Sequence, residues 1–121
     1  MKRILIVDNE PNIVMSLEYI FKKENFEVFI ARDCAEAIQI AEDKLPDVIL
    51  LDIMMPNVDG YQLLKHLKSD FKLEDIKVII LSAKNKNTDI ELGLKLGADT
   101  YISKPFSIKK IVKEVNNKLK E

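Results

Sequence analysis

Sulfur chemistry is nearly absent from this chain: Cys34 is its one cysteine. No internal disulfide can form, and a reducing cytoplasm is the expected setting. Cys34 itself reads as a small half-buried side chain rather than a reactive thiol. An excess of charge of either sign is lacking too. Lys and Arg total 19 against 20 for Asp and Glu, a net charge of −1. Bulk electrostatics therefore give no reason to expect nucleic acid or a membrane surface as partner. Apolar runs stop at about four residues, far short of a spanning helix. The opening MKRILIVD reads as a strand meeting an acid, not as a signal peptide. His66 is the sole histidine, placed mid-helix, where solvated surface explains it better than phosphate carriage or metal ligation. Repeats, low-complexity tracts and linkers are missing, so residues 1–121 are expected to form a single domain.

What the chain has is a core and a rhythm. Hydrophobic residues make up 47% of it, in alternating apolar and amphipathic blocks. Ile4-Leu5-Ile6-Val7 predicts a strand ending at Asp8. Pro11 to Lys23 carries Val14, Leu17, Ile20 and Phe21 at helical spacing, with Pro11 suited to a first turn. Phe26 to Ala31 predicts a second strand, more exposed because of Glu27 and the following Arg32. Asp33 caps a helix to about Lys44, with Glu36 three residues on as in a capping box. Val48-Ile49-Leu50-Leu51 is uniformly apolar and runs straight into Asp52, as a strand buried on both faces does. Helix is expected over Gly60 to Ser69, strand over Val78 to Leu81 ending at Ser82, and a short helix over Lys86 to Leu96, weakened by Gly93. Tyr101-Ile102 makes a brief fifth strand before Ser103-Lys104-Pro105. The last helix, Ser107 to about Leu119, puts Ile108, Ile111, Val112, Val115 and Leu119 on one stripe. Its lysines fall off that stripe and read as a solvated face.

Alternation of this kind implies an α/β fold with a parallel sheet and helices on both faces. The apolar strands are the first, third and fourth; the mixed or short ones are the second and fifth, as edges should be. The sheet order 2-1-3-4-5 fits. It brings Asp8-Asn9-Glu10, Asp52, Ser82 and Lys104 to one carboxyl edge. Carboxylates sharing a pocket repel and raise one another's pKa, and a hard divalent cation such as Mg²⁺ removes the conflict. A carboxylate, a cation, a lysine and a hydroxyl around one spot suit a phosphoryl group. Taken singly, each has a plainer reading as a loop residue, a cap or a local backbone partner. The weight lies in four strand ends delivering a compatible set.

VDNEPN, LLDIMMPNVDG, ILSAK and GADTYISKPF, in that order and spacing, resemble the receiver domain of bacterial two-component response regulators, of the chemotaxis-receiver kind. The likeness covers essentially the whole chain and implies the flavodoxin-like receiver fold. It implies that Asp52 accepts a phosphoryl group from a phosphohistidine of a sensor kinase or phosphotransfer protein. Asp8 and Asp52 would hold Mg²⁺ (or Mn²⁺), with the backbone carbonyl of Met54 as a further ligand. Lys104 would pair with the phosphoryl oxygens beside a cis bond to Pro105. Ser82 would donate to the phosphoryl group, and Tyr101 would turn from outward to inward, changing the helix 4, strand 5 and helix 5 surface for partner docking. Such a protein is a phosphoacceptor that assists its own phosphorylation and dephosphorylation, not an enzyme acting on other substrates.

The chain departs from the family pattern at Asn9, where the family usually has the second acid and direct metal ligand. Asn offers a carbonyl oxygen without charge. Mg²⁺ binding is expected to be weaker than in an Asn9→Asp variant by about tenfold or more, unless Glu10 reaches in to compensate. Glu10 also suits the start of the first helix. Met54 and Lys84 stand where the family flanks the phosphoryl group, and neither orients water, which implies a long-lived acyl phosphate. A degenerate receiver, acting as a phosphorylation-independent interaction module, is the alternative that Asn9 raises. A flavodoxin-like electron carrier would need a hydroxyl- and glycine-rich loop where Asp8-Asn9-Glu10 stands. The output is a downstream protein target or a further output domain. Thr100 and Glu114 occupy positions where one receiver class carries the charges of its dimer; the expected state is a monomer or a phosphorylation-dependent dimer.

Overall fold

The computed structural model describes residues 1–53, 60–83 and 86–120. Strands and helices alternate strictly: β1 (Arg3–Val7), α1 (Pro11–Lys23), β2 (Glu27–Ala31), α2 (Cys34–Lys44), β3 (Val48–Asp52), α3 (Gly60–Ser69), β4 (Lys77–Ser82), α4 (Asn87–Lys95), β5 (Thr100–Ser103) and α5 (Ile108–Leu119). The strands form one sheet in the order β2-β1-β3-β4-β5, and every pairing is parallel. The expected interior strands are fully buried over their apolar residues, and the two expected edges are mixed.

Strand side chains alternate between two cores, as a period of two requires. Leu5, Val7, Ile49, Leu51, Val78 and Ile80 face Ala37 and Ala41 of α2 and Leu63, Leu64 and Leu67 of α3. Ile4, Ile6, Val48, Leu50, Ile79 and Leu81 face Leu17 and Phe21 of α1 and Ile111 and Val115 of α5. Each such fully buried Leu, Ile or Phe contributes about 1.5–3 kcal/mol. The α5 stripe is seated as its spacing predicts, with Ile108, Val112 and Leu119 flanking the buried pair. Cys34 is half-buried against the first core.

Helix ends follow local chemistry. Asp33 accepts the Glu36 N–H at 2.8 Å, and Ser107 accepts that of Lys110 at 3.1 Å. After α4, Gly97 takes φ +112°. Its N–H reaches the Leu94 carbonyl and that of Ala98 reaches Gly93, which closes the helix with a left-handed residue that only glycine adopts without strain. Asn25 does the same after α1 at φ 67°, with the Phe26 N–H on the Phe21 carbonyl. β2 starts at Glu27 rather than Phe26, with the Glu27 N–H on the Lys2 carbonyl at 2.8 Å.

The amino-terminal edge of the sheet is tied down. Lys68 of α3 donates to the Glu74 and Ile76 carbonyls at 3.0 and 2.8 Å and lies 3.7 Å from the Asp99 carboxylate. Asp99 in turn accepts the Val78 N–H at 2.8 Å. At the opposite edge, Gly60 opens α3 directly against Ile53: an added Cβ would sit 2.7 Å from the Ile53 Cα. Backbone cannot move aside cheaply. Gly60→Ala is expected to cost about 1–3 kcal/mol, read as a lower urea midpoint at unchanged slope.

Candidate functional site

Parallel pairing aligns the strand exits. Asp52 is the last residue of β3, Ser82 the last of β4, and Asp8 and Lys104 each follow the final residue of β1 and β5. Three of the four are buried: Asp8 is 1% exposed, Asp52 2% and Ser82 0%. The Lys104 N–H donates to the Ser82 carbonyl at 2.7 Å, continuing the ladder one residue past β5. The Lys104–Pro105 peptide bond is cis, as the resemblance implied.

Lys104 organises the charges. Its ammonium donates to the Asp52 carboxylate at 3.3 Å and to Glu10 at 3.0 Å. Burial works against its charge most strongly. The hydrogen bond to Glu10 and the fields of Asp52 and Asp8 outweigh it, so its pKa is raised. Asp8 is pushed up as well, first by burial and further by Asp52. The Glu10 N–H that it accepts at 2.9 Å and the nearby Lys104 pull the other way. The second oxygen of Asp8 is buried and has no hydrogen-bond partner among the described residues.

Oxygens of Asp8, Glu10 and Asp52 all lie within 4.8 Å of one another. Three carboxylates and one ammonium carry −2, the charge that one divalent cation neutralises. An orphaned buried carboxylate oxygen in an all-oxygen set suits a hard cation such as Mg²⁺. The residues present therefore fit the metal that the sequence implied.

Asn9 adds no carboxylate to this set. It is exposed and lines a cleft of about 420 Å³ with Asp8, Pro11, Val14, Ile30 and Arg32. Glu10 precedes α1 without capping it, and its side chain turns to Lys104 instead. Sequence reasoning left that direction open. A signal exists in the Asp-x-Glu-Pro pattern, because an Asp that accepts the N–H two residues on folds the turn back over itself.

Tyr101 is half-buried and hydrogen-bonded to Ser82. Burial raises its pKa, and the Ser82 bond partly offsets this. Its ring packs on Gly93, where an added Cβ would lie 3.1 Å from the ring and 2.8 Å from Ile80. Gly93, which weakens α4 as a helix, is therefore what lets α4 approach β5. His66 is exposed at the surface, 3.9 Å from Glu42 and beyond hydrogen-bond range. Met54 and Lys84 lie outside the described residues.

A family model for the response regulator receiver domain matches residues 4–116, with all four strand-end residues inside the match. The chain belongs to that family. The receiver fold is equally plain in solved structures. The receiver domain of Francisella response regulator 1452 is 34% identical, with TM-score 0.90, over 99% of this chain and 98% of its own. A CheY-like response regulator receiver domain protein from Methanospirillum hungatei is 30% identical at TM-score 0.91, over 99% and 94%. The signal receiver domain of a signal transduction histidine kinase from Syntrophus aciditrophicus is 31% identical at TM-score 0.89, over 99% and 91%. As a receiver domain the chain is a phosphorylation-dependent signalling switch of the two-component class. Receiver domains generally bind Mg²⁺ at an acidic pocket and work with a kinase. No helix among the described residues is long and apolar enough to cross a membrane.

Proposed function

We propose that Asp52 is the phosphoryl acceptor of this receiver, taking the group from a phosphohistidine on a sensor kinase or phosphotransfer protein. The observation that carries this is the Lys104–Asp52 contact at 3.3 Å, in a pocket where Asp52 is 2% exposed. A carboxylate oxygen of Asp52 attacks phosphorus, the P–N bond breaks, and the imidazole leaves with the electron pair. The acyl phosphate stays on Asp52. Lys104 holds the nucleophile beforehand and the phosphoryl oxygens afterwards, as a point charge already in place. Asp8 and Asp52 would hold Mg²⁺ (or Mn²⁺), which would neutralise charge on the transferring group.

Ser82 links the pocket to the surface. A hydroxyl donates once and accepts twice. Ser82 can therefore keep its bond with Tyr101 while donating to a phosphoryl oxygen. The new bond draws on α4 and β5 through Tyr101 and Gly93, and the α4–β5–α5 face is the surface that a downstream protein or output domain reads. The domain assists its own phosphorylation and dephosphorylation and transforms no separate substrate.

The test is incubation with a small phosphodonor and Mg²⁺, followed by intact mass. The expected result is one added phosphoryl group on the wild type and none on Asp52→Ala. An unchanged wild-type mass would instead favour the phosphorylation-independent interaction module.

A further inference from the structure

The position that leaves this site one charge short, Asn9, sits next to a residue that supplies one. The Asp8 carboxylate accepts the Glu10 N–H at 2.9 Å, so the turn after β1 folds back and aims the Glu10 side chain over the pocket. A Glu10 oxygen comes within 4.8 Å of both Asp8 and Asp52 oxygens, whereas Asn9 brings no charge and, with Asp8, lines the cleft beside α1. Glu10 is the exposed member of the set, with a side chain 56% exposed against 17% for Lys104. An exposed glutamate can change partners at little cost; the buried aspartates cannot.

We propose that Glu10 is the third carboxylate of the cation site, standing in for the acid missing at position 9. It also changes partners: without the cation it neutralises Lys104, and with the cation it turns to the metal and frees that ammonium for the incoming phosphoryl group. The inference rests on the reading that Asp8 and Asp52 hold a divalent cation. Its logic is the charge count. Asp8 and Asp52 with Lys104 and a divalent cation leave +1; Glu10 brings the sum to zero. Without the cation the Lys104 ammonium is shared between Glu10 and Asp52, at 3.0 and 3.3 Å.

The experiment is calorimetric titration of Mg²⁺ into the full chain as wild type, Glu10→Gln, Asn9→Asp, the double variant, and Asp8→Asn. Glu10→Gln is expected to weaken binding about tenfold, or ~1.4 kcal/mol. Asn9→Asp should strengthen it less than about threefold, because the charge is already supplied. In the Asn9→Asp background the Glu10→Gln loss should shrink to under about threefold. Substoichiometric Mn²⁺ should broaden the ¹³C carboxyl signal of Glu10 as strongly as that of Asp8. Wild-type affinity in Glu10→Gln together with a sharp Glu10 signal, while Asp8→Asn binds poorly, would overturn the role of Glu10 alone. Wild-type affinity in Asp8→Asn would overturn the cation reading beneath it.

Discussion

Lys104→Ala should phosphorylate from a small-molecule donor about 100-fold or more slowly than wild type, the scale on which loss of one preorganised charge donor acts. The reason is positional. Lys104 is the one cation recorded in contact with Asp52 among the described residues, and its charge is held by Glu10 as well as by Asp52. Removing it leaves three carboxylates within 4.8 Å and no ammonium between them. Two effects then compound: the nucleophile loses the charge that will hold the phosphoryl oxygens, and the pocket repels the incoming anion. A rate course by intact mass, at saturating Mg²⁺, measures it. Lys104→Arg should recover only part of the rate, because a planar guanidinium cannot replace a compact ammonium at 3.3 Å. A Lys104→Ala rate within threefold of wild type would remove Lys104 from the chemistry.

Asp8→Asn should have effects of opposite sign on metal binding and on stability. Mg²⁺ affinity is expected to fall by about 100-fold, ~2.7 kcal/mol, because a buried anionic ligand is lost. In chelator at neutral pH the same variant should be more stable than wild type, by on the order of 1 kcal/mol, since a buried oxygen without a partner no longer carries charge. The pH dependence follows from the direction of the shift. Burial, aided by Asp52, holds the Asp8 pKa above its ordinary 3.8, so the folded protein binds the proton more tightly than the unfolded chain. Wild-type stability therefore falls as pH rises from 3.8 through the raised value. The advantage of Asp8→Asn should be full at neutral pH and fade as the pH drops back through that window. Saturating Mg²⁺ should reverse the order at neutral pH, because a ligand at 100 times its Kd adds about 2.7 kcal/mol to the protein that binds it. Thermal melts in chelator and in Mg²⁺ at several pH values check each sign.

Both expectations rest on residues legible before any coordinates. Strand exits were legible because uniformly apolar runs end at a polar residue: Val7 gives way to Asp8, Leu51 to Asp52 and Leu81 to Ser82. Sheet order followed from the contrast between those runs and mixed Glu27–Ala31. The edges were less legible. Thr100 and Ser103 are polar, yet β5 includes both, because backbone pairing with Ile79 and Ser82 needs no apolar side chain. Side-chain direction was least legible of all. Glu10 could serve a helix start or a charge cluster equally well by type. One hydrogen bond from its own N–H to Asp8 goes with the second. Gly93 reads as a helix weakness from propensity, and only its closeness to Tyr101 and Ile80 shows a packing need.

The Lys68 contacts have a mechanical meaning. One ammonium joins the end of α3, the turn before β4 and the acid before β5, all at the edge of the sheet farthest from Asp52. That edge is a fixed foot. A pull applied at Ser82 and Lys104 is expected to tilt the upper end of β5 about this anchor rather than slide it along β4. Displacement is then near zero at Asp99 and grows along the strand toward Lys104, so a short movement at the pocket is delivered as a change of angle on the outer face. Lys68→Met, which keeps the stem and removes the tie, would loosen the pivot without touching the pocket.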